Sequence, residues 1–313
     1  MGLQARRRRA LAIGVAAVVA LAAVILGVRS VTAGTGHHTS KVRAAAKPPP
    51  PPPQLPRGGF QILPHFRVVA YYGAPQDPEL GTLGIGTPDQ AALRLRHTAA
   101  RYRSLGRPVL PALELLADVA DHDPGPDGKY RTRQTNATIA RYLKAARRAK
   151  ALLILDLQTG RSDFFTETIR LRRWLLQPDV SLALDPEWHV AAPGVPGQVI
   201  GSVDAREINA VSYWLELVTK RHHLPQKLLL IHRFTDGMIT NDQRLKSRPH
   251  LAIAINVDGF GGRAIKRVKY ESFARRTHRL FDGFKLFFKE DTDMMQPRDV
   301  GRLRPRPNVI VYE

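Results

Sequence analysis

From residue 60 onward, short apolar runs rich in β-branched residues alternate with longer amphipathic stretches, a rhythm that few architectures accommodate. The runs are Arg67–Tyr72, Pro108–Leu113, Ala151–Leu157, Val180–Leu184, Lys227–His232, Leu251–Val257, Phe284–Lys289 and Asn308–Tyr312. Leu152–Leu155 is apolar at every position, as expected of a strand covered on both faces. Pro88–Leu105, Thr135–Lys150, Phe164–Leu176 and Asp204–His222 repeat apolar residues at helical spacing; Ile208, Val211, Leu215 and Val218 share one face of the last. The connections around Asp236–Lys246, Gly262–Leu280 and Pro297–Leu303 are less regular. Alternating β and α elements predict a parallel sheet with right-handed crossovers. Eight such units in about 250 residues match a single α/β (β/α)8 barrel over residues 60–313. An open doubly wound sheet is the alternative.

The first sixty residues read differently. Arg6–Arg9 precede an uncharged apolar run, Ala10–Val28. As a helix this run nearly spans a bilayer's hydrocarbon core, and arginines in front of it predict an N-terminus inside and the remainder outside. Residues 1–33 are therefore expected to be a signal anchor, or a signal peptide cleaved near Ala33. Residues 34–59, with six prolines at Pro48–Pro53, read as a disordered spacer of extended polyproline II character.

Charge is lopsided: 48 Lys and Arg against 27 Asp and Glu. Residues 1–59 hold nine of the basic residues and no acidic one, so the body is basic too. On an exported protein this suits an anionic envelope surface. No recognised nucleic-acid motif accompanies the charge, and nucleic acid is not expected as a partner. With no cysteine, disulfides, thiolate metal sites and a cysteine nucleophile are excluded.

Barrel active sites lie at the C-terminal ends of the strands. The expected strand ends carry Tyr72, Glu114, Asp156 with Gln158, Asp185-Pro186-Glu187-Trp188, His232, Asp258 and Asp291, an acidic rim on a basic chain. Carboxylates beside aromatic rings suit sugars, because rings stack on sugar faces and acids accept hydroxyl hydrogen bonds. Glycoside cleavage needs a carboxylic acid to protonate the leaving oxygen and a second group to steady or attack the sugar. Glu187 is the expected acid, Asp185 its electrostatic partner two residues away on one strand face, and Asp156 a further support or base. Glu114, Gln158, Trp188, Tyr72, His232, Asp258 and Asp291 are expected to contact substrate. Several have a plainer reading: Asp185-Pro186-Glu187 ending a strand and capping the next segment, Asp156 capping a helix, Glu114 pairing an arginine, Trp188 in the core, His232 hydrogen-bonded at the rim, Asp258 starting a turn. Asp121–Gly128 is expected to form a turn-rich lip over the pocket; it lacks the spacing of a calcium loop. No metal site and no cofactor are expected.

Glu114, the segment Pro124–Tyr130, Leu155–Gln158, Leu182–Trp188 and Ile255–Gly259 together resemble a family of exported actinobacterial proteins labelled hypothetical, lipoprotein or wall-associated. The resemblance covers about residues 67–313. It implies an exported location and no established activity, and this chain departs from the lipoprotein label in lacking the cysteine. The Asp-x-Glu at the fourth strand is also similar to barrel glycoside hydrolases acting on chitin or peptidoglycan, without the longer aspartate series of the chitinase motif. The expected function is that of an extracytoplasmic glycoside hydrolase-like protein acting on a cell-envelope polysaccharide. The alternative is a non-catalytic glycan-binding or scaffold protein using the same pocket.

Overall fold

The computed structural model describes residues 51–75, 77–274 and 279–313. The expected signal helix and residues 34–50 of the expected spacer lie outside them. No helix among the described residues is long and apolar enough to cross a membrane.

Eight parallel strands close into a ring: β1 Arg67–Gly73, β2 Val109–Ala120, β3 Leu152–Leu157, β4 Val180–Leu184, β5 Lys227–Arg233, β6 Leu251–Val257, β7 Phe281–Leu286 and β8 Val309–Tyr312. Each pairs with the next in sequence, and β8 closes on β1 through Val68 opposite Val309. The alternative of an open sheet is thereby corrected. A level traced from Leu230 through the successive registers returns to β5 eight residues away, the stagger that fixes strand tilt in such barrels.

The helices lie outside the ring. They are α1 Pro88–Ala100, α2 Asn136–Arg148, α3 Phe164–Arg170, α4 Arg172–Leu175, α5 Ala205–Arg221, α6 Arg263–Ala274 and α7 Pro297–Val300. Their starts are written locally. Thr87 and Gln90 form a reciprocal capping box ahead of α1, while Thr135, Asp163 and Asp204 each accept a backbone N–H at the starts of α2, α3 and α5. Between β5 and β6 there is no α-helix, only two 3-10 turns flanking a two-residue strand, Ile239–Thr240. Around Asp236–Lys246 the sequence lacks the run of spaced apolar residues that would bury a helix face.

Two apolar clusters follow from strand alternation. Outward-facing residues such as Val69, Leu153, Leu155, Leu229 and Ile253 pack beneath the helices. Inward-facing Val68, Ala70, Leu110, Ala112, Ile154, Ala183, Leu230, Ala254 and Val311 fill the barrel. Leu55, Ile62 and Leu63 join the inner cluster, and Gln226 Oε1 accepts from the Ile62 and Leu63 N–H groups at 2.8 and 3.0 Å. The expected boundary at residue 60 therefore falls within a segment that already packs on the barrel.

Candidate active site

Toward the C-terminal ends of the strands the inward positions change from apolar to charged. Continuing the alternation, β1 delivers Tyr72, β2 Glu114, β3 Asp156, β5 His232, β6 Asn256 and β7 Lys285, while Asp185, Asp258 and Glu313 follow the ends of β4, β6 and β8. Glu114, Asp156 and His232 have no exposed side-chain surface. Such burial is sustainable only with partners. His232 Nε2 stands 2.9 Å from Glu114 Oε1 and 3.1 Å from Asp156 Oδ2. His232 Nδ1 stands 2.7 Å from Asp258 Oδ2, and Asn256 Nδ2 donates to Asp258 Oδ1 at 2.6 Å. Asn256 fits because β7 presents Gly283 opposite it: a Cβ at Gly283 would lie 2.6 Å from Asn256 Oδ1. Lys285 Nζ bonds Glu313 Oε2 at 2.6 Å, lies 3.6 Å from Asp258 and sits 3.7 Å above the Tyr72 ring. Tyr72 OH donates to Asp185 Oδ2 at 3.4 Å and accepts from Gln158 Nε2 at 3.0 Å.

Above this layer opens a cavity of about 400 Å³. Its floor and walls carry Tyr72, Gln158, Asp185, Glu187, Lys285 and Glu313, with Trp188, Phe234, Phe260 and Phe287 supplying aromatic surface. Asp258 also reaches it. Burial pushes the Glu187 carboxyl up to about 7, although Lys285 works the other way. Burial likewise raises Asp185, with His232 opposing and Asp156 adding to the rise. Asp258 is held below its usual range despite its burial, because His232 and Lys285 both face it.

The expected rim residues thus divide into three groups. Tyr72, Gln158, Asp185, Glu187, Trp188 and Asp258 border one cavity. Glu114, Asp156 and His232 are not among its lining residues; they form a buried layer. Asp156 is expected within reach of the chemistry, but it points inward from β3 one level below cavity-lining Gln158 and is fully buried. The third group is Asp291 alone. It binds Lys266 at 2.9 Å and accepts the N–H groups of Gly261 and Phe287, bracing the two loops that carry Phe260 and Phe287 without itself lining the cavity.

Two further expectations need correction. Asp185 and Glu187 are not spaced along a strand, because β4 ends at Leu184 and Pro186 opens a 3-10 turn over Pro186–Trp188. The Asp121–Gly128 segment is no lip, since none of its residues lines the cavity. It forms the tip of a hairpin in which Arg131–Arg133 runs antiparallel to the end of β2, and Tyr130 packs under Arg161.

Lys285, Phe287 and Lys269 of the cavity were not anticipated. The seventh run was expected at Phe284–Lys289, three residues late, because Phe281-Asp282-Gly283 lacks β-branched residues. The period-two alternation of Phe284 and Leu286, both packed outward, with Lys285 between them carried the signal. No protein-family model matches this chain, and no curated protein matches it. The class of molecule therefore rests on its own architecture: a closed eight-stranded parallel β/α barrel with a charged cavity at the C-terminal mouth.

Proposed function

We propose that the chain is an extracytoplasmic glycoside hydrolase-like protein whose substrate is a cell-envelope polysaccharide. The observation that carries this reading is the pairing, in one cavity, of the carboxyl groups of Glu187, Asp185, Asp258 and Glu313 with the rings of Trp188, Phe234, Phe260 and Phe287. Its size falls among small-ligand pockets, about 300–1,000 Å³. Glu187 is the general acid: it is half-buried, reaches the cavity and holds its proton to about pH 7. As the glycosidic C–O bond breaks, the Glu187 proton passes to the leaving oxygen. The positive charge developing on the sugar ring is met by the Asp258 carboxylate, beside Asp185, and water then adds to the ring carbon and returns a proton to Glu187. The basic n-region and apolar run before residue 34 support export, and the basic body suits an anionic envelope.

The test is cleavage of a panel of envelope glycans by the full chain and by Glu187→Gln. The variant is expected to lose at least about 100-fold in kcat while still binding the glycan, as removal of a general acid does. Wild-type protein that binds a glycan and cleaves none leaves a glycan-binding or scaffold protein instead.

A further inference from the structure

We infer that the buried layer beneath the cavity is a divalent-cation site, with His232 Nε2 and the carboxylates of Glu114 and Asp156 as its ligands. Their ligating atoms gather within 4.8 Å of one another at the centre of the barrel. Nε2 lies 2.9 and 3.1 Å from the two acids. Donors that meet at right angles on one ion, each about 2.1 Å from it, stand about 3.0 Å apart.

The protein supplies too few donors for these acids. Nε2 carries at most one proton, and that proton is aligned with Glu114 Oε1. Glu114 Oε2 and both oxygens of Asp156 then have no hydrogen-bond donor, although both side chains are fully covered. A carboxylate in that position is strongly destabilising unless a cation neutralises it. His232 is already shared with Asp258, and Lys285 is committed to Glu313 and Tyr72, its Nζ standing 3.6 Å from Asp258. One divalent ion would satisfy the orphaned oxygens and offset the two charges together.

The outer groups fit the same assignment. Asp258 binds His232 Nδ1 at 2.7 Å and is itself held by Asn256. A carboxylate behind an imidazole fixes the ring with Nε2 aimed forward and makes it a better ligand. One imidazole with two carboxylates suits Mn²⁺, Zn²⁺ or Fe²⁺ better than Ca²⁺, which favours oxygen alone. The ion would sit beneath Asp185 and the cavity, so the assignment is independent of whether a glycan is cleaved.

Full-length protein stripped with a chelator should take up one Mn²⁺ or Zn²⁺ per chain in calorimetric titration. Glu114→Gln and Asp156→Asn, each checked for a native circular-dichroism spectrum, should each weaken binding at least about tenfold. His122→Ala, which alters the exposed Asp121–His122–Asp123 group, should leave it unchanged. Folded wild-type protein that binds neither ion overturns the site. So does wild-type affinity in both acid variants, or loss of binding in His122→Ala.

Discussion

At Glu187 the local chemistry and the wider environment act together. Pro186 turns the chain out of β4, and the turn leaves Glu187 half-buried at the cavity wall. Removal from water penalises its carboxylate form and lifts the carboxyl to about 7. A group raised in this way is protonated below that value and loses its proton above it. If Glu187 is the acid, kcat should be level on the acidic side of about pH 7 and fall about tenfold per unit above it, and Glu187→Gln should abolish that limb. A pH–rate profile that stays flat to pH 9 would remove Glu187 from the role. Gly201 shows a different constraint. A Cβ there would lie 2.4, 2.5 and 2.7 Å from the carbonyl oxygens of His189, Pro186 and Glu187. Gly201→Ala should therefore displace the Glu187 turn and lower both activity and melting temperature, whereas a nearly unchanged melting temperature would show that the turn yields.

Among the elements, the extension of β2 depends on charge for its position. Past an irregularity between Leu116 and Asp118 the strand runs on to Ala120 and folds back through Arg131–Arg133. Two of these arginines reach Glu167 of α3, Arg133 at 2.7 Å and Arg131 at 3.1 Å, and Arg170 joins at 3.0 Å. Glu167 has no exposed side-chain surface, so three cations converge on one buried acid and hold it far below the ordinary carboxylate range. Breaking such a buried pair costs about 3–5 kcal/mol. Glu167→Gln keeps the volume and removes the charge, and it should lower unfolding free energy by about 3 kcal/mol in denaturant titrations. A loss under 1 kcal/mol would mean that the hairpin is held by its backbone alone.

Over the whole barrel, stability is divided between the two ends. At the N-terminal end the barrel interior is apolar and packed with Leu55, Ile62 and Leu63, while at the C-terminal end the inward positions are charged or polar. Ile62 is fully buried, far along the sequence from most of what it touches. Ile62→Ala should cost about 2–5 kcal/mol through lost burial and the cavity left behind. Its effect on the proposed glycan binding should be small, because the plug and the mouth occupy opposite ends. Equal losses of binding and stability would show instead that the two ends are coupled.

The sequence by itself determined the alternation of strands and helices, seven of the eight strand positions to within a residue or two at their starts, and the crowding of acids at the strand ends. These are local properties: period two, period 3.6, caps and turn-forming prolines act within a few residues. It misjudged β7, whose first residues are held in the sheet by neighbours on both sides rather than by their own propensity. Only the tertiary structure decided which acids meet solvent and which meet one another. Asp156 and Glu187 read alike as rim carboxylates in one dimension, yet Asp156 ends under the floor beside His232 and Glu187 in the cavity wall. The physical reason is that burial and pairing depend on the closure and stagger of the ring, which bring together groups 118 residues apart such as Glu114 and His232.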